Sequence, residues 1–290
     1  MNLIERHSAR TLVSPVMIMV LDGWIDAGAA AEGAIGHILS STQAEPYASV
    51  NTDTLLDQRS RRPSLLINDG VHEGLTWPRI EMFALNDSGG NDILLLIGPE
   101  PDMNWRTFAS DIVDFALLEK VQMLVGFGGF PAPAPHTRPV RLASTASSRE
   151  LASKIGFVGG SIEVPAGVQA VLEEGFSSVG IPSIGLWARV PHYASGMPYP
   201  AASAALVEAL NTIAGLTFDT TNLWNAADAT RIKVDKLIAQ SEEHSEMVHL
   251  LESSIDAAEG NAMNLSNMPT GDEIADELER FLREERDQEK

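Results

Sequence analysis

Two uninterrupted apolar runs, Val16–Leu21 and Ile93–Ile97, restrict what this chain can fold into more than any other feature. Neither alternates with polar residues, so a strand built from either must be covered on both faces. Helices above and below a sheet meet that requirement. Both runs are far shorter than the roughly 20 apolar residues of a membrane span. The first is followed by Asp22-Gly23-Trp24-Ile25-Asp26-Ala27-Gly28 and an alanine-rich stretch to Leu39. Strand, glycine turn and helix in that order open an α/β unit.

The pattern recurs. Ser64–Ile67 and Glu81–Leu85 read as short strands and Asp92–Gly98 as a second buried one. Trp105–Lys120 reads as a helix with Trp105, Phe108, Ile112, Phe115 and Ala116 on one face. Val121–Gly126 is a third central strand, ending in Gly128-Gly129. Phe130–Pro139 holds four prolines and is read as neither helix nor central strand. Strands near Val140–Ala143 and Ser183–Ala188, with a helix over Gly167–Glu174 between them, precede a helix over Ala201–Ile213. Strands alternating with helices predict a three-layer α/β/α sandwich over residues 1–220.

From Thr221 the strand signals vanish. Val234, Leu237, Val248, Leu251 and Ile255 share a 3-4 spacing, which predicts one long amphipathic helix with a polar middle at Ser241 and His244. Glu259–Pro269 reads as a linker, and Thr270-Gly271-Asp272-Glu273 as a capping box opening a last helix striped by Ile274, Leu278, Phe281 and Leu282. Residues 221–290 are therefore expected to form a helical hairpin. Its apolar stripe must be buried on its own domain or on another subunit.

Composition narrows the function. Forty acidic side chains face twenty Lys and Arg, giving a formal net charge of −20. Phosphate backbones need a basic face, so nucleic-acid binding is not expected. With no cysteine there is no disulfide framework, thiolate nucleophile, iron–sulfur cluster or zinc finger. Near the N-terminus Glu5, Arg6, His7 and Arg10 are not followed by an apolar stretch long enough for a signal peptide. A soluble cytoplasmic protein, with no membrane partner and no cofactor, is the expectation.

Several polar motifs could carry chemistry. Gly23 and Gly28 after a strand could turn backbone N–H groups toward an anion at a helix start. No Gly-Lys-Ser/Thr follows, and Asp22 and Asp26 would repel a phosphate. The alternative is that Asp26 caps the helix. Gly126-Phe127-Gly128-Gly129-Phe130 lacks the third glycine and the helix of a dinucleotide loop. Pro135-His136-Thr137-Arg138-Pro139 lies beyond a central strand, where α/β folds place ligands. There His136 is a candidate acid or base and Arg138 a carboxylate or phosphate clamp. The architectural alternative pairs Arg138 with Asp22 or Asp26 and bonds His136 to loop backbone. His192 and Tyr193, after another strand, would either line a pocket with His136 or fix a turn. Metal binding lacks a motif: His72-Glu73 has no second His, and His244 and His249, five apart on a helix, diverge by about 140°. Gly-x-Ser-x-Gly is absent.

In order, the chain carries Asp22-Gly23-Trp24-Ile25-Asp26-Ala27-Gly28, Trp77-Pro78, Gly98-Pro99-Glu100-Pro101 with Trp105, and Gly128-Gly129. Pro135-His136-Thr137-Arg138-Pro139, Gly180-Ile181-Pro182 and Pro198-Tyr199-Pro200-Ala201-Ala202 follow. This ordered set, spanning about residues 10–215, resembles the PAC2 family, named for a proteasome assembly chaperone, in its actinobacterial branch with a helical C-terminal extension. The resemblance implies a phosphorylase/hydrolase-like α/β/α sandwich with a mixed sheet, self-association, and an assembly-chaperone or scaffold role without established catalysis. Implied partners are further copies of the chain and proteasome or other assembly subunits. Archaeal relatives that engage the proteasome end in a hydrophobic-Tyr-x tail, whereas this chain ends Asp287-Gln288-Glu289-Lys290. The other readings are a hydrolase- or phosphorylase-like enzyme using Asp22, Asp26, His136 and Arg138, and a small-anion binder at the Gly23–Gly28 turn.

Overall fold

The computed structural model describes residues 3–264. The chain divides into two compact units, one ending at Leu237 and the other starting at Ile238.

In chain order the strands are β1 (Ile4–Arg6), β2 (Val16–Asp22), β3 (Glu45–Val50), β4 (Ser64–Asn68), β5 (Val71–Thr76), β6 (Ile80–Asn86), β7 (Asp92–Pro99), β8 (Met123–Ala132), β9 (Leu142–Ala146) and β10 (Ser183–Pro191). The helices are α1 (Ala30–Ser41), α2 (Trp105–Leu118), α3 (Arg149–Ser153), α4 (Val168–Ser178), α5 (Pro200–Ala214), α6 (Thr221–Ile238) and α7 (Glu242–Asn264). Eight strands form one mixed sheet in the order β1-β3-β6-β7-β2-β8-β10-β9. The four central strands β7, β2, β8 and β10 run parallel, and the outer ones are antiparallel.

The unbroken apolar run of β2 has a direct explanation. Val16 and Ile18 point into one core with Ala34 and Ile38 of α1 and Leu206 and Leu210 of α5. Met17 and Met19 point into another with Phe108 and Ile112 of α2 and Leu172 and Phe176 of α4. Both faces are dry, so no position in the strand's middle tolerates a polar side chain. The result is the expected three-layer α/β/α sandwich.

Three sequence expectations need correction. β8 does not stop at Gly129 but runs through Pro131 to Ala132, paired with β10. Proline is tolerated there because β2 pairs with β8 only as far as Gly126, leaving one side of β8 without a regular strand partner. The long helix from Thr221 is two helices, broken at 239–241. Ser241 ends the run by accepting the His244 N–H on its hydroxyl (3.4 Å), ahead of Glu242 and Glu243 in the first turn of α7. Residues 259–264, read as linker, are helical. By compactness, α6 up to Leu237 groups with the sheet. The capping box at Thr270 and the last helix lie outside the described residues.

Strand β4 does not join the main sheet. It pairs only with β5, forming a separate two-stranded ribbon whose residues are all exposed.

Candidate functional site

The parallel strands end on one edge of the sheet, and two cavities open there. The first, of about 180 Å³, is walled by Asp22 to Asp26 after β2, Glu100 after β7, Phe127 of β8, Gln169 of α4 and Trp187 of β10. Asp22, Asp26, Glu32 and Glu100 line it, and no Lys or Arg does. Its carboxylates have defined work. Asp26 accepts the N–H groups of Ala31 (2.8 Å) and Glu32 (3.1 Å), closing the N-terminus of α1. Glu100 accepts the N–H of Val168 (2.5 Å), the first residue of α4. The Gly28 N–H goes to the Ser195 carbonyl. A phosphate would need those helix ends open, and here the protein's own carboxylates occupy them. Replacing Asp26 with Ala should cost about 1 kcal/mol in urea denaturation; an unchanged midpoint would deny it the capping role.

Behind this cavity lies a buried carboxyl that sequence reasoning missed. Glu173 of α4 accepts hydrogen bonds from Gln169 (3.0 Å) and Thr145 (2.8 Å), and Thr145 in turn accepts from the Trp187 indole (3.2 Å). Gly185 and Gly126, opposite each other on β10 and β8, leave it room. A Cβ on Gly185 would come within 2.4 Å of the Glu173 carboxylate, and one on Gly126 within 2.5 Å of Gln169. Burial pushes the Glu173 carboxyl up to about 7, against the pull of its two hydrogen bonds.

The second cavity, of about 270 Å³, lies between the proline-rich loop and α6. His136, Thr137 and Arg138 form one wall; Trp224, Thr230 and Arg231 of α6 form the other. The His136 side chain is 2 % exposed and fully engaged. Its Nε2 lies 2.9 Å from Asp235 Oδ1 and its Nδ1 2.8 Å from the Tyr193 hydroxyl. A carboxylate only accepts, so Nε2 carries the proton, and in the neutral ring Nδ1 accepts from the tyrosine. The backbone N–H of His136 also donates to that hydroxyl (2.8 Å). His192 packs edge-on against Tyr193 at 5.3 Å between centroids.

The four candidate enzymatic residues are thus not brought together. Asp22 and Asp26 line the first cavity, and His136 and Arg138 the second. Tyr193 does meet His136, as the sequence allowed. Asp235, Trp224 and Arg231 lie on α6, and nothing in their local sequence links that helix to the proline-rich loop. Among the described residues no group of three or more His, Asp or Glu is placed to hold a metal, and no helix is long and apolar enough to cross a membrane.

Comparison with known proteins places this architecture. The PAC2 family model matches residues 20–238. The chain belongs to the PAC2 family. Among solved structures, a Mycobacterium tuberculosis protein of unknown function, Rv2714, is 32 % identical with a TM-score of 0.82, covering 91 % of this chain and 92 % of that one. The Mycobacterium tuberculosis proteasome-assembly chaperone homologue Rv2125 is 32 % identical with a TM-score of 0.74, covering 80 % of this chain and 99 % of that one. Pyrococcus furiosus PbaB, an archaeal proteasome activator, shares the PAC2 fold at 16 % identity and a TM-score of 0.60, covering 82 % and 99 %. No curated protein sequence matches the chain.

Proposed function

We propose that this PAC2 protein is a non-enzymatic, cytoplasmic interaction platform that works as a homo-oligomer, in the manner of an assembly chaperone, with proteasome or other assembly subunits as clients. A chaperone-like role fits the family. The observation that carries self-association is the β4–β5 ribbon. A two-stranded hairpin is marginal in water by itself, yet this one exposes Leu65, Leu66, Ile67, Val71, Leu75 and the adjoining Trp77, with Leu66 at 60 % and Val71 at 64 %. With 41–64 % of each side chain exposed, covering one is worth about 1 kcal/mol, and an uncovered patch of this kind marks an interaction site. Local charge favours contact. Residues 58–79 hold four arginines against Asp69 and Glu73, on a chain whose net charge is −20.

Light scattering after size exclusion is expected to give a multiple of the 31.2 kDa chain. Leu66→Asp combined with Val71→Asp, both exposed, should shift it to the monomer with its secondary structure intact. A parent protein that is strictly monomeric at micromolar concentration would remove the oligomeric part of the proposal. Failure of proteasome subunits to co-purify from the native cytoplasm would remove that client.

A further inference from the structure

The two edges of the β4–β5 ribbon differ. In β5, Leu66 pairs with Gly74 and Ile67 with His72, so Glu73 is an extra residue that no residue of β4 faces. A bulge carrying a charge, next to a glycine, blunts that edge against further pairing. β4 reads Ser64-Leu65-Leu66-Ile67-Asn68 and has no charge, proline, glycine or extra residue. It has β5 on one side and no strand on the other. Among the described residues, no backbone hydrogen bond joins residues 64–76 to the rest of the chain. The outer N–H and C=O groups of β4 therefore face water, beside the exposed Leu65, Leu66 and Ile67. A straight, apolar, unprotected edge is a template for another strand.

The flanks of β4 say which strand fits. The chain enters through Arg61-Arg62-Pro63 and leaves through Asp69-Gly70. Both turn residues have positive φ, 48° and 83°, as a two-residue hairpin turn of type I′ requires. The ribbon is thus positive at its root and negative at its tip. Arg61 is committed to Asp102 (3.3 Å) and to the Glu100 carbonyl (3.3 Å). The exposed Arg62 and Asp69 side chains pair with no described residue. A second copy of β4, laid antiparallel about a twofold axis at Leu66, supplies what both lack. Leu65 then stands opposite the second copy's Ile67 and Ser64 opposite its Asn68, with Arg62 beside its Asp69. A parallel arrangement would set arginine against arginine and aspartate against aspartate.

We propose that two copies of this chain join edge to edge through β4, antiparallel about a twofold axis at Leu66, so that two ribbons become one four-stranded sheet. Three or more strands give the stability that a lone hairpin lacks. The contact uses the same surface on both copies, so it closes at two and does not propagate. The proposal rests on the self-association reading and adds to it the strand, its direction and its register.

The chain has no cysteine, so a single introduced one reports its own distance from the axis. Leu66→Cys should give a covalent dimer on mild oxidation of the full chain. Residues opposite each other in antiparallel strands have Cα atoms about 4.5–5.5 Å apart, within disulfide reach. Thr76→Cys, also exposed but on β5 at the root of the ribbon, should cross-link at least about tenfold more slowly. Arg62→Glu, which sets a carboxylate beside the second copy's Asp69, should weaken dimerisation about five- to tenfold in analytical ultracentrifugation. Adding Asp69→Asn, which removes the repulsion and suits the positive φ, should recover most of that loss. Recovery by a second substitution cannot come from damage to the fold. A strictly monomeric parent would remove self-association and this pairing with it. A different result removes the pairing alone: the parent associates, Leu66→Asp with Val71→Asp dissociates it, and Leu66→Cys cross-links no faster than Thr76→Cys. Arg62→Glu dimerising as tightly as the parent would overturn the pairing as well.

Discussion

Replacing Gly98 with alanine should lower the unfolding free energy by at least about 3 kcal/mol. Gly98 sits near the end of β7 with φ +144°, a region that side chains other than glycine's rarely adopt. A Cβ there would lie within 2.4 Å of the Arg79 carbonyl oxygen and 2.8 Å from the Ile80 Cα. Both obstacles are backbone at the start of the paired strand β6, so no rotamer change relieves the clash. Relief requires β6 and β7 to part where they lead to Glu100 and the cap on α4. Equilibrium urea unfolding reads the loss. A parent-like midpoint would show that the strand ends are slack. Gly90, also at positive φ but with open space around its missing side chain, gives the comparison. Alanine there pays only for backbone strain, about 1 kcal/mol.

The second large effect is a pH dependence from Glu173. Its folded carboxyl titrates at about 7, against an ordinary value of 4.5. Between those values the folded chain holds a proton that the unfolded chain releases, so this residue's contribution to stability falls as pH rises. The contribution is complete below about 4.5 and is lost through about 7, amounting to roughly 3 kcal/mol. Glu173→Gln abolishes the titration while keeping an amide oxygen for Thr145 or Gln169. The stability of the variant relative to the parent should therefore rise by roughly 3 kcal/mol from about pH 5 to about pH 8. Parallel pH profiles would mean that Glu173 reaches water in the folded state.

Legibility followed locality. The runs that became β2 and β7 announced themselves because each lies between two apolar layers and carries no polar residue in its middle. The buried face of α2 was readable from the 3-4 spacing of Phe108, Ile112, Phe115 and Ala116. Strands β1, β3 and β5 were not: they are short, partly or wholly exposed, and obtain their definition from neighbours across the sheet. Pro131 was misjudged because proline argues against a strand with partners on both sides, and only the sheet order shows that β2 stops short of it. The break at Ser241 was written in its capping hydroxyl, but a continuing 3-4 spacing obscured it.

The candidate site divides along the same line. Asp26 as a helix cap could be read from its place ahead of an alanine-rich run, and the structure has it there. The His136–Asp235 bond spans 99 residues, and no periodicity connects a proline loop to a late helix. Glu173 carries no signal of its own within the stretch Gly167–Glu174 that reads as helix; two glycines on separate strands are what let it lie buried.

The amino-acid order alone determined the layered α/β/α architecture, the positions of its central strands and the family, because doubly covered strands and their turns have local compositional signatures. Only the tertiary structure decided that the four suspected polar residues line two separate cavities, and that α6 supplies a wall of one of them. Side-chain convergence depends on strand order and helix docking, which are set by packing across the whole sheet and leave no trace in any short stretch of sequence.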